Sequence, residues 1–184
     1  ILVPDTYKNY RFWRNTSVAS LGAGQTATLP AGTLGYEWDW EQPAYAVNNP
    51  SGRFTLSSTT VTGKTHKLSL YRHSSGALVF GAGTIQWSWG LDGVHDRGAS
   101  TPSVVMQQAT VNLFADMGVQ PATLQAGLVA ATASTDLTPP ASVITFPANG
   151  ATLAPNVAVT ITGTASDANV VAGIEVSVDG GTTW

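Results

Sequence analysis

The chain has no cysteine, few charges and no long apolar run, and each absence removes a class of function. Without cysteine there are no disulfides, no thiolate metal sites and no cysteine nucleophile, although the compartment stays open because many secreted bacterial proteins also lack it. Only 10% of the 184 residues are charged, against about 25% in an ordinary globular protein. The surface must therefore be covered by Thr, Ser, Asn, Gln and Gly, a composition that suits β-sheet. Eight Lys and Arg are scattered against 11 Asp and Glu, a net charge of −3, so no basic stripe exists to hold a phosphate backbone and nucleic acid is excluded as a partner. No segment approaches the roughly 18–20 apolar residues of a membrane span.

What is present divides near residue 120. Five of the six tryptophans lie between Tyr7 and Met117, whereas Val119 to Pro140 is Ala, Thr, Gln, Leu and Pro. Pro139 lacks a donor and holds Thr138 extended, so Thr138-Pro139-Pro140 reads as a stiff connector. This places the boundary at about residue 137, with domains 1–137 and 138–184. Ile1-Leu2-Val3 enters without a cap, and Val176 to Trp184 reads as a strand and turn with no returning strand. The chain is therefore expected to be a piece of a longer polypeptide, or to have its sheets completed by neighbouring copies in an oligomer or filament.

In the first part the hydrophobic period is mostly two. Leu34, Tyr36, Trp38 and Trp40 alternate with Gly35, Glu37, Asp39 and Glu41, predicting a strand with an aromatic and an acidic face. Phe54 with Leu56, and Leu68 with Leu70, predict two more strands with Thr62-Gly63-Lys64 in their connection. Ala77 to Trp89 predicts a central strand buried on both faces. Thr101 as cap, Pro102, and the spacing of Met106, Ala109, Leu113 and Met117 predict a helix ended by Gly118. A buried strand, a loop and a closing helix point to the end of an α/β layer domain. The second part, with short β-branched runs at 143–146, 157–164 and 174–178, points to a partial all-β immunoglobulin-like sandwich.

Two constellations carry chemistry. Alternation would set Glu37, Asp39 and Glu41 on one face about 7 Å apart, either as a metal or acid–base site or as a solvated acidic edge. The loop Gly90 to Gly98 holds Asp92, His95, Asp96 and Arg97 at the carboxyl end of the expected central strand, where α/β sheets place ligands. It reads either as a ligand loop or as a surface pair, Asp96 with Arg97, beside an exposed imidazole. Trp38 with Trp40, and Trp87 with Trp89, are stacking platforms or core. Loop Asp and Asn of the second part, Asp167, Asn169 and Asp179 with Glu175, suit Ca²⁺ or simply turns. His66 and His73 point to opposite faces and are not expected to share a ligand.

The segments Tyr10-Arg-Phe-Trp-Arg-Asn-Thr16, Leu34-Gly-Tyr-Glu-Trp-Asp39, Leu70-Tyr-Arg72 and Gly76 to Asp92 resemble the C-terminal region of the N,N-dimethylformamidase large (beta) subunit and its relatives. The resemblance covers roughly residues 5 to 120, and the strand-then-helix close is similar to the end of a ThuA-like, class I glutamine-amidotransferase-like domain. From Asp136 the chain resembles a bacterial immunoglobulin-like module, with Val176-Ser-Val-Asp-Gly-Gly-Thr-Thr-Trp184 as its recurring turn. The first resemblance implies an amide hydrolase whose iron is held by two tyrosines and a glutamate and activates water against a formamide carbonyl. Glu37, in Gly-Tyr-Glu-Trp-Asp, is the matching glutamate; the tyrosines belong upstream of these residues. The implied parent is a large exported, extracellular or periplasmic multi-domain protein, and the 184 residues alone are not expected to turn over substrate. The other class implied is a non-catalytic surface protein, adhesin-like or assembling, in which the same domain is a scaffold.

Overall fold

A computed structural model describes residues 1–184. The first part is built from short antiparallel pairs rather than one sheet. Strand β1 (Leu2–Pro4) pairs with β2 (Thr26–Thr28), bringing Val3 opposite Ala27, and three-residue 3₁₀ turns at Asp5–Tyr7 and Arg11–Trp13 lie between them. Next come β3 (Phe54–Thr55), the hairpin of β4 (Thr59–Val61) and β5 (Lys64–His66), then β6 (Ser69–Arg72) and β7 (Leu78–Gly81). The sheet order is β3-β6-β7, with Phe54 opposite Leu70 and Leu70 opposite Phe80. The β4–β5 hairpin turns on Thr62 and Gly63, both at positive φ (48° and 79°). Two such residues give the mirror-image turn whose twist matches paired strands.

The expected α/β layer domain is absent in this form, because its central strand does not form. Of Ala77 to Trp89 only Leu78–Gly81 is a strand, and it lies at the edge of a three-stranded antiparallel sheet, half-buried. Gly83 sits at φ +60°, where the chain leaves the sheet. The Thr84 hydroxyl then accepts from Gln86 N at 3.2 Å and starts a 3₁₀ helix over Ile85–Gly90. That places Trp87 in the core and Trp89 at the surface, so the two do not form a strand platform. The Leu34 to Glu41 strand is likewise reduced to a single bridge, Trp38 with Thr84. The hairpin of β8 (Val94–His95) and β9 (Gly98–Ala99) follows.

Helix α1 (Val104–Asp116) is the one long helix. Its cap is Ser103, two residues later than expected, with the hydroxyl accepting from Met106 N at 3.3 Å. Ser103→Ala removes that acceptor and lowers stability by about 1 kcal/mol, read as a shifted urea midpoint. Met106, Ala109 and Leu113 face the core, whereas Phe114 and Met117 are exposed.

The core gathers Val3, Phe12, Trp13, Val18, Leu56, Leu68, Trp87 and Met106 from these short elements. Phe12 stacks on Phe80 with ring centroids 5.2 Å apart and meets Trp13 edge-on at 4.7 Å. Beneath α1 the polar side chains are buried yet paired. Asn112 Nδ2 donates to the carbonyls of Phe12 (2.9 Å) and Arg14 (2.6 Å), and Gln108 Nε2 donates to Asn112 Oδ1. At the helix end, Asp116 accepts from Arg11 and Arg14 at 2.8 and 2.9 Å, and both arginines also reach the Thr132 carbonyl. The chain after α1 is thereby strapped back across its own helix.

The second part forms one ladder, β10 (Ala141–Phe146) antiparallel to β11 (Thr162–Ser166). The run at 157–164 contributes only its end to β11, and 174–178 joins no ladder. Hydrogen bonds to Asp179 fold the closing turn: its carboxylate accepts from Thr183 N and Oγ1, Ser177 Oγ and Thr182 N, which hold it well below the usual carboxylate range. Gly180 and Gly181 supply the positive φ that the turn requires. Glu175 reaches the first part, accepting from Gly52 N at 3.0 Å, and Tyr10 Oη donates to the Ala172 carbonyl. No helix is long and apolar enough to cross a membrane.

Candidate functional site

The acidic segment does not present three carboxylates to one face. Its backbone is fixed by Ile85 N donating to the Glu37 carbonyl (3.3 Å) and Asp39 N donating to Gly83 O (2.7 Å). Glu37 and Asp39 are exposed beside a shallow depression edged by Tyr36, Thr84 and Ile85, and neither carboxylate has an ion-pair or hydrogen-bond partner. Glu41 instead meets two cations, with its side chain still 37% exposed. Its two oxygens accept from Arg53 Nη2 at 2.6 Å and Lys67 Nζ at 2.5 Å. Burial would raise this carboxyl, but hydrogen bonds from Lys67 and Arg53 hold it below its usual range. Arg53 and Lys67 lie 12 and 26 residues away, and no local pattern pointed to them.

Behind the segment the ground is buried and polar. A Cβ at Gly35 would come within 2.2 Å of the buried Gln86 amide, so that side chain would have to shift to admit one. His66 is buried beside Trp38, its Nε2 2.9 Å from the Ala82 carbonyl, and its Nδ1 has no partner. A carbonyl only accepts, so Nε2 is the donor. Burial lowers its pKa from the ordinary imidazole value of 6.5. Between that value and the lower folded one, the unfolded chain binds a proton that the folded chain refuses, so stability falls as pH falls through 6.5. Urea midpoints recorded from pH 8 to pH 5 should decline below 6.5, and His66→Gln should flatten that decline. His73 is on the surface, hydrogen-bonded to Ser75, so the two histidines are apart as expected.

The Gly90 to Gly98 loop is the β8–β9 hairpin, and it closes on itself. His95 lies flat on Trp89 with centroids 4.2 Å apart and 8° between planes. Asp96 accepts from Trp89 Nε1 at 3.0 Å and Tyr36 Oη at 3.2 Å, while the Arg97 guanidinium covers the Tyr36 ring at 3.9 Å. Asp96 and Arg97 approach to only 3.9 Å. Asp92 accepts from Val94 N, a turn contact. Aromatic faces and polar groups are thus largely spent on one another.

No group of three or more His, Asp or Glu is arranged to hold a metal ion. The donor set in these residues does not fit a self-contained iron centre, and Glu37 is a free carboxylate with no other acid or imidazole grouped around it. In the second part, Asp179 accepts within its own turn and Asp167 accepts from Asn169 N, whereas Glu175 reaches Gly52 and Asn169 reaches Asp136.

Residues 2–103 match the family model of the N,N-dimethylformamidase beta subunit-like C-terminal region, and residues 140–183 match a bacterial Ig domain. Helix α1 falls between the two matched segments. The Ig match fits an all-β sandwich for the second part. No curated protein and no solved structure matches the chain. The chain, more than half of which lies within the first match, belongs to the N,N-dimethylformamidase beta subunit-like C-terminal family and carries a bacterial Ig domain after it.

Proposed function

We propose that the chain is a piece of a larger exported bacterial protein that hydrolyses carbon–nitrogen amide bonds with a bound metal, and that it contributes Glu37 to that metal. One observation carries the reading. Of the three acids at 37–41, Glu41 is neutralised by two cations, whereas Glu37 and Asp39 stand free on a pinned backbone, and Glu37 is the one at the glutamate position of the family motif. An exposed carboxylate with unspent lone pairs is the hard oxygen donor that iron accepts. Its companions would come from outside residues 1–184, and no catalytic step is assigned to residues within them.

The test is hydrolysis of N,N-dimethylformamide by the full-length protein. Glu37→Gln keeps the shape and removes the charge, and the rate should fall on the order of a hundredfold or more with the thermal midpoint unchanged. An unaltered rate would exclude Glu37 from the centre. A second reading has its own support: the Ig part leaves Val143, Ile144, Phe146 and Ile174 exposed, as in a module that binds or assembles outside the cell. Full-length protein that turns over no formamide, and instead self-associates or retains a glycan, would move the function there.

A further inference from the structure

Glu37 is carried by a segment with a single β-bridge and no strand of its own, so its conformation is set from outside. The backbone contacts run to residues 83–85. Asp39 N donates to the Gly83 carbonyl at 2.7 Å, Ile85 N donates to the Glu37 carbonyl at 3.3 Å, and Trp38 bridges Thr84. That template is itself irregular: β7 ends at Gly81, and Gly83 turns away at φ +60°. His66, the last residue of β5, lies against the junction from within and has no exposed surface. Its Nε2 donates to the Ala82 carbonyl at 2.9 Å, and its ring meets Trp38 edge-on with centroids 6.3 Å apart. A Cβ on Gly83 would come within 3.0 Å of the same Nε2. One buried side chain thus touches the residue after Glu37 and the two residues before its bridge partner Thr84. Nδ1 has no partner, so the ring's hydrogen bonding is spent on Ala82. An apolar side chain would fill this space without an unpaired nitrogen, and packing alone therefore does not account for an imidazole here.

We propose that His66 is a positioning residue for Glu37: the Nε2 hydrogen bond to Ala82 and the edge contact with Trp38 hold segments 37–39 and 82–85 together, and so set the place from which the Glu37 side chain projects. The inference rests on the reading of Glu37 given above. His66 touches neither substrate nor reacting atoms in this role, and no proton moves to or from its ring. A support of this kind matters because a small displacement of a reacting group costs much of the rate, even when the fold survives.

Two variants of the full-length protein test this, His66→Gln and His66→Asn. A glutamine amide nitrogen falls near the place of Nε2 and an asparagine one near Nδ1, so only glutamine can still donate to Ala82. Amide hydrogen exchange in peptides covering Asp39 and Ile85 should be about tenfold faster in His66→Asn and close to wild type in His66→Gln. With N,N-dimethylformamide, kcat should fall about tenfold in His66→Asn with KM within about twofold, and His66→Gln should recover it. Equal effects in the two variants, faster exchange spread over the whole first part, or a folded His66→Asn with the wild-type kcat would each overturn the proposal. If His66→Asn fails to fold, Gly83→Ala takes its place: its Cβ presses on Nε2 and should loosen the same two amides, and unchanged exchange there would overturn the proposal. Exchange is read without turnover, so the two readings fail separately. A full rate in Glu37→Gln removes the role of Glu37, whereas unchanged exchange in His66→Asn removes His66 as its support.

Discussion

Trp13→Ala lowers the unfolding free energy by about 3–5 kcal/mol, the largest loss expected from any single side chain in the first part. Trp13 is fully buried and meets Phe12 edge-on, in a core drawn from segments as distant as Val3 and Met106. Its Nε1 donates to the Leu56 carbonyl at 3.0 Å, so truncation both opens a cavity and strands a buried acceptor. Short two- and three-residue strands have few ladder bonds of their own, which makes the shared core their main support. Trp13→Phe separates the two effects: it keeps most of the volume and loses the donor, for about 1–2 kcal/mol. Urea unfolding measures both. A loss below about 1 kcal/mol for Trp13→Ala would mean that this core does not hold the pairs together.

Asn112→Leu, with the same number of heavy atoms, costs about 3 kcal/mol, because a buried and a part-buried carbonyl are each left without a donor at about 1–3 kcal/mol apiece. Those carbonyls belong to Phe12 and Arg14, the turn that carries Trp13, and Asn112 is how α1 grips it. Gln108 loses its acceptor at the same time. Asn112→Asp should be worse, since a carboxylate would face two carbonyl oxygens. Hydrogen exchange should report the site of damage, with α1 amides losing protection first. Equal loss across the whole first part would instead place Asn112 in the common core.

Much of this was written locally and some was not. The helix at 104–116 was visible because apolar spacing, a capping hydroxyl and a terminal glycine agree. The cap is Ser103 rather than Thr101, since either hydroxyl before the apolar run suits the role. Phe54 and Leu70 likewise announced the paired strands β3 and β6, but the β4–β5 hairpin turning on Thr62 and Gly63 within their connection was not foreseen. The Ala77 to Trp89 run misled because continuous hydrophobicity does not distinguish a central strand from an edge strand followed by a 3₁₀ turn. Gly83 and the Thr84 cap decided between them. Alternation at 34–41 also misled: Glu37 and Asp39 remain outside, but Glu41 is drawn to Arg53 and Lys67, and a pairing across 26 residues leaves no periodic trace. Glu37 itself was legible only through the family motif, and Asn112 and Gln108 carried no signal beyond being polar residues in an apolar helix pattern.

The most direct test of the central claim is the iron content of the full-length protein, wild type beside Glu37→Gln and Glu41→Gln, by elemental analysis after exhaustive dialysis. The account predicts iron approaching one atom per chain in the wild type, retained in Glu41→Gln and largely lost in Glu37→Gln, with all three equally folded. Iron unchanged in Glu37→Gln would contradict it.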